Sequence, residues 1–311
     1  MKVLFLGMGS IGTRHVKNLR KAAAERGISL AIHAVRSTEM EVDAEIKYYV
    51  VQFRRGEQLD DNYDIIFITN PTALHFQAIQ EYAPMCNHMF IEKPIFEHPD
   101  YPLEDILKHR KGVWYVAAPL RHTEVYRHLK NKVVNLVDVC SARIICSSYM
   151  PDWQKGRDYR KSFRSILSQG GGVDIDLVHE IDYMVDLFGF PAQVHRAAGK
   201  FSKLEMDACD LASYIFVYSE FVVEMHLDYF GRFPKREIEI FTDDDVIIGD
   251  FLERKVMLKQ SSSEFCFSHE RDHYFEEMKF FLAMVLDKEI NTSTPETAFN
   301  VLRLAKGMVA T

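Results

Sequence analysis

At 311 residues the chain exceeds a typical single domain and holds enough material for two cores. Its 47% hydrophobic and 27% charged residues are ordinary for a globular protein, and a formal charge of −7 argues against nucleic acid or an anionic membrane as the main partner. No apolar run reaches bilayer length and no signal-type segment precedes the first strand, while five cysteines without C-x-x-C spacing read as buried free thiols, which together predict a cytoplasmic protein with no metal site.

Lys2-Val3-Leu4-Phe5-Leu6 is an apolar run of strand length, Gly7-Met8-Gly9-Ser10-Ile11-Gly12 follows at once, and Thr13–Glu25 reads as a helix. A G-x-G-x-x-G between strand and helix points to a dinucleotide site. Gly7 permits the tight turn, Gly9 lets backbone approach a pyrophosphate, and Gly12 lets helix and strand pack closely. The phosphates then sit on unpaired backbone N–H groups at the positive helix end, near Ser10 and Ile11. Ser29–Val35 is a second strand, ending at Arg36-Ser37-Thr38, where such folds usually place an acid for the adenosine ribose. An arginine fork there can clamp a 2′-phosphate and the two hydroxyls can add hydrogen bonds, which predicts NADP over NAD; the alternative is a surface arginine in a turn.

The alternation continues. Lys47–Phe53 is rich in β-formers, Asp64–Ile68 is a buried strand ending at Thr69-Asn70-Pro71-Thr72, and Leu74–Tyr82 is helical. His88–Ile91 is a strand ending at Glu92-Lys93-Pro94, followed by a helix over Leu103–His109 and a strand over Val113–Ala118. This predicts a doubly wound parallel sheet over residues 1–119, with ligands beyond the carboxyl ends of its strands. Residues 120–311 change character: a helix over Glu124–Lys130, a strand over Val137–Ser148, a polar stretch, and a helix over Asp174–Phe188. Alternating runs at Gln193–Ser202, Asp210–Tyr218, Phe221–Tyr229, Arg236–Phe241 and Lys255–Lys259 predict a mostly antiparallel open sheet. Helices over Asp272–Leu286 and Pro295–Val309 close the chain. One sheet face left bare by the domain's own helices predicts a homodimer or homotetramer.

The glycine loop, Thr69-Asn70-Pro71 with His75, Glu92-Lys93-Pro94, and Gly170-Gly171-Gly172 leading into Asp176 and His179 resemble the glucose–fructose oxidoreductase/inositol dehydrogenase (Gfo/Idh/MocA) family along essentially the whole chain. The resemblance implies a Rossmann domain beside an α/β substrate domain, and NAD(P)-dependent action on sugars, inositols and related polyols. Within that frame Lys93, leaving a strand end, positions a substrate hydroxyl or shares its proton, His179 handles the same proton and Asp176 orients them. Glu92 serves the cofactor end or orients Lys93, and His75 either faces the cofactor or bonds backbone.

Asp176, His179, Glu180 and Tyr183 fall three or four apart and share one helix face, opposite Ile175, Val178, Ile181, Val185 and Phe188. The commoner family pattern, D-x-G-x-H, places His four after Asp; here His179 is three after Asp176 and Glu180 takes the fourth place. One residue is about 100° of helix, so His179 and Glu180 flank the usual direction and either can face the substrate. Arg121, Tyr159 and Arg160 are further candidates for sugar hydroxyls or a carboxylate. A dinucleotide-binding regulator without turnover and a glycosidase that retains NAD are the competing functions.

Overall fold

The computed structural model of the chain describes residues 1–36, 43–59, 62–133, 139–153, 156, 158–267 and 271–310. The chain forms two compact units, Met1–Ala118 with Asp272–Phe299, and Pro119–Arg271 with Asn300–Thr311. Among the described residues no helix is long and apolar enough to cross a membrane.

The first unit runs β1 (Lys2–Leu6), α1 (Ser10–Glu25), β2 (Ala31–Arg36), β3 (Val50–Arg54), β4 (Tyr63–Ile68), α2 (His75–Tyr82), β5 (Cys86–Ile91), α3 (Leu103–Leu107) and β6 (Trp114–Val116). Its six strands are parallel in the order β3-β2-β1-β4-β5-β6. The order reverses between β1 and β4, which opens a crevice at their carboxyl ends. Phe5, Phe67 and Phe90 are direct neighbours across β1, β4 and β5 and stack at 4.4 and 5.0 Å. This ladder of rings lies under a helix and is fully buried.

The second unit contains α4 (Glu124–Val133), β7 (Val139–Tyr149), α5 (Val173–Asp176), α6 (Val178–Phe188), β8 (Gln193–Gly199), β9 (Leu211–Val217), β10 (Val222–Asp228), β11 (Phe230–Thr242), β12 (Val246–Asp250), β13 (Lys255–Leu258) and β14 (Ser263–Cys266). These form an eight-stranded sheet, β14-β13-β12-β11-β7-β10-β9-β8, antiparallel at every pair except β7 with β10. One face is packed: Ile144, Leu227, Ile238 and Ile240 meet Ile181 and Met184 of α6 in a single core. On the other face Arg143 bridges Glu224 and Glu239 on the strands to either side.

The structure departs from the expected elements in three places. The helix predicted over Asp272–Leu286, α7 (His273–Asp287), belongs to the first unit rather than to residues 120–311 as a block. Phe281 seats edge-on against Phe67 and Phe90, and buried Glu277 accepts from the Tyr115 hydroxyl (3.0 Å) and the Ala118 N–H (2.6 Å). Strands β12 and β14 were not expected, being only five and four residues long. The predicted helix Asp174–Phe188 is broken at Leu177, whose ψ of 29° leaves the helical region. The last helix, α8, spans Pro295–Ala305. All five cysteines are free, but Cys140 and Cys266 are exposed, near strand ends where burial stops.

Candidate functional site

The glycine loop joins β1 to α1, and its three glycines differ in what they need. Gly7 has φ +100°, and a Cβ there would lie 2.8 Å from the Asn70 backbone. A Cβ on Gly12 would lie 2.4 Å from the Gly7 carbonyl oxygen. Both glycines are thus demanded by the chain itself. Gly9 is not: it has an ordinary φ of −70° and a Cβ would meet nothing within 4 Å. Gly9 is the N-cap of α1, no side chain caps that helix, and its first turn, beginning with exposed Ser10 and half-buried Ile11, holds no acid. Open space over uncapped N–H groups fits a phosphate ligand.

An open cleft adjoins the loop at the ends of β1, β2 and β4, lined by Gly7, Val35, Arg55, Asn70 and Leu74 among others. Arg36 closes β2. Its Nη1 donates to Gln52 Oε1 at 2.7 Å, while its Nε is buried without a partner among the described residues. Arg55 was missed from the sequence. Its signal was register: Arg36 pairs with Arg54 on the neighbouring strand, so the next residue reaches the same rim. Ser37 and Thr38 lie outside the described residues.

At the ends of β4 and β5 the predicted cofactor residues chiefly hold one another. Thr69 Oγ1 donates to the Gly7 carbonyl (2.7 Å) and so fixes the glycine turn. Asn70 keeps a buried Oδ1 with no hydrogen-bond partner among the described residues, and exposed Pro71 follows it on the cleft wall. His75 is buried, and its ring nitrogens face the carbonyls of Ile95 (3.1 Å) and Asn70 (3.0 Å), which is the backbone alternative for this residue. Burial holds its imidazole below the ordinary value, against the pull of those carbonyls.

Glu92 is likewise buried. Its Oε1 lies 2.5 Å from His15 Nε2 on α1, and its Oε2 accepts from the Lys93 N–H at 3.1 Å. Burial pushes this carboxyl up, but the bond and charge of His15, with Lys93, bring it below its ordinary value. His15 was missed; a polar residue on the apolar stripe of Val16, Leu19 and Ala23 was the available signal. Lys93 is half-buried just beyond β5, followed by a cis Lys93–Pro94 peptide.

In the second unit the triple glycine admits the chain's own backbone. A Cβ on Gly171 would lie 2.5 Å from the Phe163 carbonyl, and Gly172 has φ +134°. Asp176 Oδ2 accepts from Arg164 Nε (2.9 Å) and from the Tyr229 hydroxyl (3.2 Å). Burial, then the Asp176 charge, pushes the Tyr229 hydroxyl well above its ordinary range, so it stays a donor. Arg164 and Tyr229 were not singled out, because neither spacing nor motif links them to Asp176.

The break at Leu177 gives His179 and Glu180 different surroundings. His179 is half-buried at the start of α6, whereas Glu180 is 0% exposed and accepts from Arg236 Nε of β11 at 2.6 Å. Tyr183 is also fully buried. The four residues therefore present no single exposed polar face: Glu180 is turned into the fold, onto Arg236.

Three further candidates are engaged within the protein. Arg121 is 7% exposed and spends its fork on α6, with Nε and Nη2 on Asp182 (2.8 and 2.7 Å) and Nη1 on Asp186 (2.8 Å). Tyr159 accepts at its hydroxyl from the Glu205 N–H (3.0 Å). Arg160 pairs with Asp158 and Glu205 (2.8 and 3.0 Å). All three tie segments of the second unit together.

The strand order, with a glycine loop at its switch point, is that of a Rossmann domain. Residues 1–109 match the model of the GFO_IDH_MocA family, described as an oxidoreductase family with an NAD-binding Rossmann fold. The similarity to that oxidoreductase family is thus one of the first unit, residues 1–109. The uncharacterized oxidoreductase YrbE of Bacillus subtilis is 33% identical over 107 residues, 34% of this chain and 31% of that relative's length. An oxidoreductase from Thermotoga maritima matches with a TM-score of 0.80 at 18% identity, over 99% of this chain and 95% of its own. Levoglucosan dehydrogenase, solved with NADH and levoglucosan, matches with a TM-score of 0.80 at 17% identity, over 99% and 96%. At these identities the two structures show a shared fold across both units.

Proposed function

We propose that this oxidoreductase transfers a hydride between a nicotinamide cofactor, preferably NADP, and a carbinol or carbonyl carbon of a sugar, sugar derivative or polyol. The observation that carries the cofactor half is Gly9, a glycine that nothing in the protein requires and that faces open space at an uncapped helix end. Gly7, Gly9, Ser10, Ile11 and Gly12 would hold the pyrophosphate, and Asn70 and Pro71 would line the cleft beside it. Arg36, at the end of β2, would take the 2′-phosphate. Thr69, His75 and Glu92 support that cradle by bonding its backbone. The similarity to levoglucosan dehydrogenase supports the sugar half.

When bound, the cofactor supplies the hydride-transfer chemistry; the protein's part is to hold the substrate hydroxyl and move its proton. Lys93 positions that hydroxyl through its ammonium. His179 accepts or returns the proton, and Asp176 orients the pair. Asp176 is itself fixed by two donors on one oxygen, Arg164 and Tyr229. The chain is expected to work in the cytoplasm as a homodimer or homotetramer.

The test is cofactor titration followed by turnover on a panel of sugars and polyols. Binding of NADP(H) or NAD(H) with turnover on at least one member is expected. Lys93→Ala, Asp176→Ala and His179→Asn should each lower that turnover by ~10²–10⁴-fold with cofactor affinity near wild type. Cofactor binding without any turnover would favour a regulator, and unaltered turnover in Lys93→Ala would overturn the assignment.

A further inference from the structure

We propose, resting on the sugar-oxidoreductase reading above, that the substrate is an acidic sugar and that Arg164 receives its carboxylate or phosphate oxygens. Arg164 stands in a short 3₁₀ turn, Phe163–Ser165, whose backbone is pinned from two sides. The Arg164 carbonyl accepts from the Gly172 N–H at 3.1 Å, and the Ser162 side chain accepts from the Arg164 N–H. A Cβ on Gly171 would lie 2.6 Å from that same carbonyl, so the triple glycine lets the two segments close on each other.

The side chain is held as firmly. Nε is committed to Asp176 Oδ2 at 2.9 Å, and the guanidinium carbon lies 4.7 Å from the centre of the Phe163 ring. With one edge on Asp176, the opposite edge remains. Nη1 and Nη2 meet no acceptor among the described residues, and the side chain is 30% exposed. Two parallel N–H donors on a fixed fork match two oxygens of one anion, a geometry that a single sugar hydroxyl cannot satisfy.

The surroundings suit a pyranose bearing such a group. Phe163 is 48% exposed and Trp153 38% exposed, and Trp153 is held edge-on against Tyr229 at 5.3 Å. Aromatic faces cover the C–H side of a sugar ring, while Asp176 and Arg164 supply the polar contacts. The contrast with Arg121 and Arg160 is the discriminating point. Those forks are filled by carboxylates of the protein, and that of Arg164 is filled on one side only.

The experiment uses the full chain with saturating NADPH or NADH and three sets of ligands: neutral hexoses, the matching uronates, and the matching sugar phosphates. Affinities are measured by equilibrium binding for wild type, Arg164→Gln and Arg164→Lys. At least one acidic sugar should bind about tenfold or more tighter than its neutral counterpart. A preference for uronates identifies a carboxylate, and one for phosphates a phosphate. Arg164→Gln should abolish the preference while leaving cofactor affinity unchanged. Arg164→Lys, which keeps a cation beside Asp176 but has no fork, should fold like wild type and weaken the preference. Neutral sugars binding as tightly as acidic ones, or a preference that survives in both variants, overturns the proposal. If neutral sugars alone bind, the anion site fails and the sugar reading stands. If no sugar binds while the cofactor does, both fail.

Discussion

Arg36 and Arg121 have the same chemistry and opposite circumstances. Arg121 is enclosed by two carboxylates of α6, so its charge is spent inside the fold; Arg36 has one bond to Gln52 at a strand end beside an open cleft. Arg36→Ala should therefore weaken NADPH by roughly 1–3 kcal/mol, the size of a charge-assisted bond, and leave NADH nearly unchanged. Fluorescence titration of both cofactors checks this, and equal losses would contradict it. His75 makes a second prediction, on pH. Burial lowers its folded-state value below the ordinary 6.5, so the unfolded chain takes up the proton first as pH falls. Stability should then be complete above about pH 6.5 and decline below it, by at most ~1.4 kcal/mol per pH unit for this group. His88, lowered by burial as well, acts in the same direction. Melting temperatures between about pH 8 and pH 5 should show the decline, and His75→Gln should make it shallower. A melting temperature that rises on acidification through this range would refute the assignment.

At the scale of elements, the glycine loop is one structure made for two purposes, and single substitutions separate them. Gly12→Ala drives a Cβ onto the Gly7 carbonyl, 2.4 Å from a backbone oxygen, and should cost roughly 1–3 kcal/mol of stability as well as cofactor affinity. Gly9→Ala meets nothing in the protein and should cost stability only the ~0.5–1 kcal/mol of a poorer N-cap, yet weaken cofactor binding about tenfold or more. Melting curves without cofactor and titrations with it distinguish the two. Equal destabilisation by both variants would mean that Gly9 serves the fold. The α5–α6 break carries a different lesson. The heptad-like spacing of Asp176, His179, Glu180 and Tyr183 presumes one continuous helix, and Leu177 ends that presumption. Once the axis changes, Asp176 and His179 are half-buried while Glu180 turns to Arg236.

For the whole molecule, the bare sheet face of the second unit sets the remaining prediction. Ile215 (46% exposed) and Val222 (37% exposed) lie on this face, on adjacent strands, with the Glu224–Arg143–Glu239 bridge beside them. Apolar area of this kind is expected to be covered by a second copy. Sedimentation at micromolar concentration should give a dimer or tetramer, and Ile215→Glu with Val222→Glu should shift it to monomer; a wild-type monomer would refute this. The chain's local chemistry was enough to determine the parallel sheet, the glycine loop and the strand-end positions of Thr69, Glu92 and Lys93, because each depends on neighbours within a few residues. Periodicity showed that the helix around Phe281 buries a face. It could not show that this face meets Phe67 and Phe90, since any apolar surface satisfies an apolar stripe. The same holds for charge: Arg121, Arg160 and Arg164 read alike in sequence, and only the tertiary placement of Asp182, Glu205 and Asp176 decided which fork is filled and which keeps an open edge.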